Sequence, residues 1–171
     1  MAIDIPKLPL GYYIEEGIQS LSESIAEETN VISDVVNSAV TSITEFLVYF
    51  PEPVIILLFA GLAWWITRRI KVTVFTALGM LLLWSLQLWY PTMQTIALVG
   101  VSTLVAIALG IPLGICAALS RTFRNIIWPI LDFMQTLPPF VYLIPAIPFF
   151  GLGFTSAMFS TVIFAVPPAI R

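Results

Sequence analysis

The N-terminal third of the chain carries apolar residues at the spacing of one helix face. Acidic side chains occupy the other faces, and Glu28 interrupts the apolar stripe. We predict an amphipathic helix that cannot span a bilayer and that packs against protein on the outer surface, because anionic headgroups would repel its acidic face. A partly ordered acidic tail is the alternative, since aromatic residues are few before Phe46. The stripe consists of Ile18, Leu21, Ile25, Ile32, Val35, Val36, Ala39, Val40, Ile43, Phe46 and Leu47.

Five stretches after residue 52 are candidates for membrane-spanning helices. A hydrocarbon core about 30 Å thick requires about 20 helical residues. The first stretch is short for a span. It either includes part of residues 46–51, or Arg68 and Arg69 extend their charged ends to the membrane surface while their stems lie in the apolar layer. We predict an all-α polytopic membrane protein, in which an acidic extracytoplasmic region, residues 1–52, precedes a transmembrane domain, residues 53–171. The predicted spans are residues 53–67, 72–90, 93–120, 126–150 and 152–170.

Positive charges lie in alternate connections between the predicted spans. The turns at residues 90–92 and at Gly151 carry no charge. Because Lys and Arg beside transmembrane helices are retained on the cytoplasmic side, the N-terminal region is expected outside and Arg171 inside. The basic residues are Arg68, Arg69 and Lys71 after the first span, Arg121 and Arg124 after the third, and Arg171 after the fifth.

Composition agrees with a membrane protein. The chain is 59% hydrophobic and only 10% charged, whereas an ordinary soluble domain has about 25% charged residues. Residues 1–52 hold nine acids and Lys7, whereas the remainder holds six bases and Asp132. No basic run with interleaved aromatic residues suggests nucleic acid as a partner.

The sequence offers little material for catalysis or metal binding. Histidine is absent and Cys116 is the single cysteine, so the most common general base and a thiolate metal cluster are both missing. No Gly-rich phosphate loop with a following lysine occurs. We therefore predict no catalytic residue, no metal site and no cofactor in this chain, and a transport subunit rather than an enzyme.

The third predicted span is rich in small residues. Ala106, Gly110 and Gly114 recur every four residues and therefore share one helix face. Small side chains let two helix backbones approach closely, so helix packing is the favoured interpretation, and direct lining of a pore is the alternative. Gly110, Pro112 and Gly114 are also expected to loosen the hydrogen-bond ladder of this helix locally.

The fourth predicted span contains Pro129, Pro138, Pro139, Pro145 and Pro148. Each proline removes a backbone donor, and four of them lie beyond the first turn, so a continuous helix is excluded. Non-helical backbone at membrane depth must be buried in protein or face water. Residues 136–148 are thus expected to form either a broken segment beside a pathway or a kinked helix whose backbone is satisfied by neighbouring hydroxyls.

Asp132 is the one ionisable side chain within the predicted apolar spans. An intramembrane acid is a functional hypothesis by default, although its position near Pro129 and the cytoplasmic side also suits a structural role, paired with backbone donors or a basic residue. Gating or a proton path is the alternative. The candidate pathway and gating residues are Asp132, Gln135, Thr136, Pro138, Pro139, Phe140, Tyr142, Pro145 and Pro148.

Three runs of residues resemble the permease subunits of type I ABC importers. They are LGIPLGI from Leu109, PILDFMQTLPPFVYLIPAIPFFGLG from Pro129 and FAVPPAIR from Phe164. The second run is most similar to permeases for glycine betaine and proline betaine, including those with an acidic N-terminal extension. The resemblance covers residues 60–171 well and the N-terminal region loosely.

The resemblance implies a transport assembly in the bacterial cytoplasmic (inner) membrane. Two permease copies would form the pathway, two cytoplasmic ATPase subunits would bind ATP and power it, and an extracytoplasmic binding protein would deliver an osmoprotectant. An ATP-independent pore or secondary transporter is the second hypothesis, and a structural membrane protein is the third. Aromatic faces at Phe140, Tyr142, Phe149 and Phe150 would suit a quaternary ammonium group, although packing is the more common role of such residues.

The family's cytoplasmic Glu-Ala-Ala loop, which contacts the ATPase, begins in relatives shortly after the position of Arg171. That motif is absent from this sequence. We therefore expect the chain to represent the N-terminal part of a permease.

Overall fold

The computed structural model describes residues 10–171, with side chains from Glu16 onward. This part of the chain is helical and contains no strand, which confirms the all-α fold class. Lys7 lies outside the described residues. The elements are α1 (Leu10–Ser24), α2 (Ala26–Tyr49), α3 (Glu52–Thr67), α4 (Ile70–Ser85), α5 (Trp89–Leu119), α6 (Arg121–Thr136), a 3-10 helix (Pro139–Tyr142), α7 (Leu143–Phe150) and α8 (Phe154–Ile170).

Helix α2 packs against protein rather than forming a tail. Val36 and Val40 are buried against Ala97 of α5, and Phe154 and Met158 of α8 complete this cluster. However, α2 has 24 residues and by length and composition is apolar enough to cross a membrane, so the prediction that this region cannot span is not supported on that ground. Two of the four acids of α2, Glu27 and Glu28, lie in its first turn, and the other two are Asp34 and Glu45. Its extracytoplasmic position stays a prediction.

Helices α3 and α4 form a hairpin closed by a two-residue turn. Arg68 ends α3 in the left-handed conformation, with φ 52°, and its backbone N–H donates to the Trp64 carbonyl at 2.8 Å. The Arg68 guanidinium lies 5.1 Å from the centre of the Trp64 ring. Each helix has 16 residues and is therefore about 24 Å long, which is less than a typical hydrocarbon core.

The turn between the second and third predicted spans lies earlier than expected. Helix α4 ends at Ser85, and α5 already begins at Trp89, so residues 90–92 belong to the first turn of α5. Pro91 is tolerated there because the first backbone N–H groups of a helix have no intrahelical acceptor. Gln87, with φ 60°, reverses the chain instead. Trp89 and Met93 then pack against Ile55 of α3 and Met80 of α4.

Helices α5 and α8 form the most extensive helix pair among the described residues. Helix α5 has 31 residues and continues through Pro112 without a break. A Cβ atom placed on Gly110 would lie 2.5 Å from the Ala169 Cβ, and one on Gly114 would lie 2.8 Å from the Ile170 carbonyl oxygen. Ala106, one turn before Gly110, is also buried. The small-residue face of α5 is thus the surface on which α8 packs.

The predicted count of five spans is not reproduced by helix length and composition. Two helices, α2 and α5, are long and apolar enough to cross a bilayer, and the bent pair of α6 with the segment 139–150 gives a third. Helices α3, α4 and α8 are apolar but shorter, at 16, 16 and 17 residues. By length and composition alone, the described residues thus contain two spans, or three if the bent pair is one span, and the crossing of the membrane by α3, α4 and α8 stays a prediction.

Candidate functional site: a broken helix and an inner cavity

The fourth predicted span is broken between α6 and the 3-10 helix. The two arms, Arg121–Thr136 and Pro139–Phe150, meet at 103°. Leu137 between them is extended, with φ −88° and ψ 136°, because a following proline disfavours the helical conformation for the residue before it. Pro129 and Pro148 lie inside α6 and α7, which continue past them. The break lies at the consecutive prolines 138 and 139, whereas α8 continues through Pro167 and Pro168.

A side-chain hydroxyl satisfies the Met134 carbonyl, which the break leaves without its helical donor. In a continuous helix the N–H of residue 138 would donate to the Met134 carbonyl, but Pro138 has none. The Tyr142 hydroxyl donates to that carbonyl at 2.6 Å. The Pro139 carbonyl, in the 3-10 helix, accepts a hydrogen bond from the hydroxyl of Ser160, on α8, at 2.5 Å. The first of these hydrogen bonds compensates for a donor missing at the break, and the second ties the 3-10 helix to α8.

The N-terminal helices reach the far arm of the broken segment. The Ser22 hydroxyl of α1 donates to the Pro148 carbonyl of α7 at 2.7 Å. Helix α2 also contacts α7. The ring of Phe150 lies 5.7 Å from that of Phe159 on α8. The arm formed by α7 is therefore held on one side by α8 and on another by the N-terminal region.

An open cavity of about 700 Å³ lies where α5 and α8 end and α6 begins. Asp132 and Arg171 form an ion pair in its wall, with side chains 66% and 41% exposed. Arg124 donates from Nε to the Ala117 carbonyl at 3.0 Å and from Nη2 to the Ala118 carbonyl at 3.2 Å, so its charge caps the C-terminus of α5. The lining residues are Gly114, Ala117, Ala118, Arg124, Trp128, Asp132, Ile170 and Arg171.

The beginning of α6 is fixed by a conventional cap. The Ser120 hydroxyl accepts a hydrogen bond from the backbone N–H of Phe123 at 3.2 Å, which is the usual arrangement for a serine before a helix. Successive turns of α6 then present Arg124, Trp128 and Asp132 to the cavity, because residues four apart share a helix face.

The predicted pathway residues divide between these two places. Asp132 lines the cavity, whereas Pro138, Pro139 and Tyr142 form the break. Gln135, Thr136, Phe140 and Pro145 are exposed on the segment between and beyond them, and Phe140 is 80% exposed. The Thr136 hydroxyl donates to the Phe133 carbonyl of its own helix. Pro148 lies inside α7.

Sequence reasoning did not identify several members of the site, among them Ser160, Trp128 and Arg171. Ser160 and Trp128 carried no signal as site residues, because a single serine or tryptophan in an apolar helix is ordinary. Arg171 was interpreted only as a marker of the cytoplasmic side. Its pairing with Asp132 joins positions 39 residues apart, which no local pattern reveals. The structure gives Asp132 a basic partner, as expected if this side chain has a structural role. A role of Asp132 in gating stays a prediction.

Comparison with known proteins gives the class of the chain. No family model matches it. The chain is 40% identical over 167 residues to the glycine betaine transport system permease protein of Bacillus subtilis, covering 98% of this chain and 59% of that protein. It is 37% identical over 171 residues to the glycine betaine/carnitine transport permease protein of Listeria monocytogenes, covering 98% and 60%. It is 35% identical over 164 residues to the glycine betaine/proline betaine transport system permease protein of Escherichia coli, covering 96% and 46%.

The apolar helices and these matches together define an integral membrane protein related to transport permeases. Its homologues over nearly the whole chain are the permease subunits of glycine betaine and proline betaine ABC transport systems, which confirms the resemblance seen in the residues. The chain spans about three fifths of the length of the first two relatives.

Proposed function

We propose that the chain forms the N-terminal part of the membrane domain of a permease subunit that imports glycine betaine or proline betaine at the expense of ATP. The observation that carries the proposal is the 40% identity to a glycine betaine permease over 98% of the chain. The broken segment supports it, because irregular backbone at membrane depth is typical of substrate pathways.

The proposal includes the partners and the location. Cytoplasmic ATPase subunits bind the ATP, a second permease copy completes the pathway, and an extracytoplasmic binding protein delivers the substrate. The subunit lies in the bacterial cytoplasmic membrane with its acidic N-terminal region outside. The permease itself has no ATPase site and catalyses no reaction, so its contribution is a gated passage.

Reconstitution of the complete assembly tests this function. The full-length permease that contains this chain is placed in liposomes with its ATPase, and uptake of radiolabelled glycine betaine is measured with binding protein outside and ATP inside. We expect uptake that requires both ATP and the binding protein. The control is the same assembly with an ATPase variant that cannot hydrolyse ATP.

Two outcomes would contradict the proposal in different ways. Equal uptake without the ATPase would indicate a pore or a secondary transporter. An assembly that hydrolyses ATP in response to a different solute, but not to betaines, would show that the substrate class is wrong.

A further inference from the structure

We propose that α1 is a latch on the far arm of the broken segment, residues 139–150, through the hydrogen bond from Ser22 to the Pro148 carbonyl, and that release of this latch admits water to the packed face of the arm. The inference rests on the proposed function, in which the broken segment lies beside the substrate pathway. It deepens that function, because it assigns control of the far arm to the N-terminal region.

The far arm has a hinge at each end. At one end, the break at Pro138 and Pro139 sets the arm at 103° to α6. At the other end, Gly151 has φ 71°, a conformation that glycine adopts readily and other residues adopt rarely. Between these points lie only a 3-10 helix of four residues and α7 of eight residues. Bending at the two hinges therefore changes the orientation of the arm while α6 and α8 stay folded.

Hydrogen bonds from α8 hold the two ends of the far arm. The Ser160 hydroxyl donates to the Pro139 carbonyl at 2.5 Å, and the Ser156 hydroxyl donates to the Gly151 carbonyl. Because these attachments lie near the ends, they resist displacement of the arm more than rotation about the line that joins them. Contacts from other elements are needed to fix that rotation, and α1 and α2 both contact α7.

Ser22 of α1 bonds to a carbonyl that α7 leaves without a helical donor. The last four carbonyls of a helix have no intrahelical donor, and Pro148 is the third residue from the end of α7. The Ser22 hydroxyl donates to this carbonyl at 2.7 Å across 126 positions of sequence. Helix α1 continues into α2 with a break only at Ile25, and α2 packs on α5 through Val40 and Ala97. The hydrogen bond therefore ties the far arm to a packed part of the bundle.

The latched position leaves a buried hydroxyl unsatisfied near the second hinge. Thr155, in the first turn of α8, is 3% exposed, and its hydroxyl has no hydrogen-bond partner among the residues that the structure describes. A helical threonine can donate to the carbonyl four residues earlier, but here that carbonyl, of Gly151, accepts from Ser156. An unsatisfied buried donor raises the free energy of the latched position. Since the Ser22 bond is also open to solvent, the contact is suited to a latch that opens rather than to a permanent strut.

Thiol labelling measures the opening of the far arm without requiring transport. In the full-length permease that contains this chain, every native cysteine, Cys116 among them, is replaced by alanine, and Ala146→Cys introduces one cysteine on the arm. Ala146 is 1% exposed. The protein is placed in lipid nanodiscs, and the rate of reaction with a charged methanethiosulfonate reagent is measured. This rate reports access of water, because the reactive species is the thiolate, which apolar surroundings disfavour.

The variants separate the latch from general stability. Ser22→Ala is expected to accelerate labelling at position 146 by about two- to tenfold, the change expected when the closed position loses one hydrogen bond. Ser22→Thr retains a hydroxyl and should keep the original rate. Ser24→Ala is the matched control, because the Ser24 hydroxyl donates to a carbonyl of its own helix, that of Leu21. Elution of each protein as a monodisperse species shows that it has folded.

A second cysteine position reports any loosening of the whole bundle. Ala97, on α5, is also 1% exposed and lies outside the far arm. In a separate protein that carries Ala97→Cys as its single cysteine, Ser22→Ala should leave the labelling rate unchanged. Opening confined to the far arm is the behaviour that distinguishes a latch from a residue that stabilises the fold in general.

The outcomes separate this inference from the proposed function. Equal labelling at position 146 in Ser22→Ala and Ser24→Ala would overturn the inference, even in an assembly that imports betaine. Equal acceleration at positions 146 and 97 would also overturn it, because Ser22 would then stabilise the bundle as a whole. Acceleration confined to position 146 would support the latch. Failure of the complete assembly to import betaine, together with such acceleration, would overturn the proposed function alone.

Discussion

Single glycines decide how closely α5 and α8 approach. The spacing of Ala106, Gly110 and Gly114 predicted a packing face. Gly110 lies against Ala169, and Gly114 lies against the backbone of Ile170. The identity of the opposing helix could not be predicted, because small-residue spacing indicates close packing but contains no information about the partner. Gly100, on the same helix, has open space around its Cβ position.

Gly110→Ala is expected to destabilise the protein. The added Cβ would lie 2.5 Å from the Ala169 Cβ, which is short and cannot rotate away, so the helices must separate. Overpacking of this kind lowers the free energy of unfolding by about 1 to 3 kcal/mol. Thermal unfolding of the purified protein in detergent measures the effect. Gly100→Ala is the matched control, because no atom lies within 4 Å of its Cβ position. Equal melting temperatures for the two variants would contradict the packing assigned to Gly110.

Asp132 shows the limit of residue-level prediction. Its chemistry marked it as exceptional within an apolar span, and that judgement needed no structure. Its partner is Arg171, at the end of another helix, and the pairing depends on α6 and α8 meeting at one end of the bundle. Which charged side chain contacts an isolated acid therefore depends on tertiary packing and not on the local sequence pattern.

At the level of elements, the prolines of the fourth predicted span indicated either a broken segment or a kinked helix, and the 103° bend corresponds to the broken segment. Pro138 and Pro139 remove consecutive donors and favour an extended conformation of Leu137. The hydroxyls that bond to the backbone here could not be predicted. Tyr142 lies eight residues from Met134 and Ser160 lies 21 residues from Pro139, so both contacts depend on how the segment folds back. The proline pattern therefore indicates an interrupted helix but not the contacts that stabilise it.

Ser160→Ala is expected to loosen the break. The Ser160 side chain is nearly buried, 7% exposed, and its removal leaves the Pro139 carbonyl without its hydroxyl donor. The loss of one such hydrogen bond costs about 1 kcal/mol, which thermal unfolding in detergent detects. Thr103→Ala is the control, because its exposed hydroxyl bonds only to a carbonyl of its own helix. A Ser160→Ala melting temperature equal to that of Thr103→Ala would show that the bond does not stabilise the break.

For the whole molecule, hydropathy predicted the membrane class, whereas the number of crossings stays a prediction and the helix boundaries differ from those expected. The predicted second span joined α4 to the first residues of α5. The turn at Gln87 gave no signal in the sequence, because its neighbours Leu86 and Leu88 are apolar. The N-terminal helix was excluded on account of its acids, although two of them lie together in the first turn of α2. An apolar helix of 16 residues and one of 24 residues give similar local patterns, so the boundaries depend on turn geometry that residue types alone do not specify.

Thiol labelling determines the threading of the chain through the membrane. Cys116 is exposed and is first replaced by alanine, after which single cysteines are introduced at exposed positions near helix ends. We expect an impermeant maleimide, added to intact cells, to label cysteines at Ser85 and Leu152 and to reach cysteines at Thr67 and Thr122 only after permeabilisation. This pattern follows from the basic residues beside Thr67 and Thr122 and their absence beside Ser85 and Leu152. Labelling of Thr67 and Ser85 from the same side would contradict the crossing assigned to α4.

A cysteine at Ser24 answers the remaining question, which is whether α2 crosses the bilayer. Helix α2 joins α3 through residues 50 and 51, on the side that the charge pattern assigns to the exterior. If α2 lies outside against α5 and α8, Ser24 is labelled from outside together with Ser85. If α2 crosses, Ser24 is reached only after permeabilisation, and the acidic first turn of α2 enters the cytoplasm. We expect external labelling, because Glu23, Glu27 and Glu28 surround this end of the helix without any neighbouring basic residue to retain it inside. Internal labelling would make α2 a membrane span and would place its acidic first turn on the side opposite to the proposed binding protein.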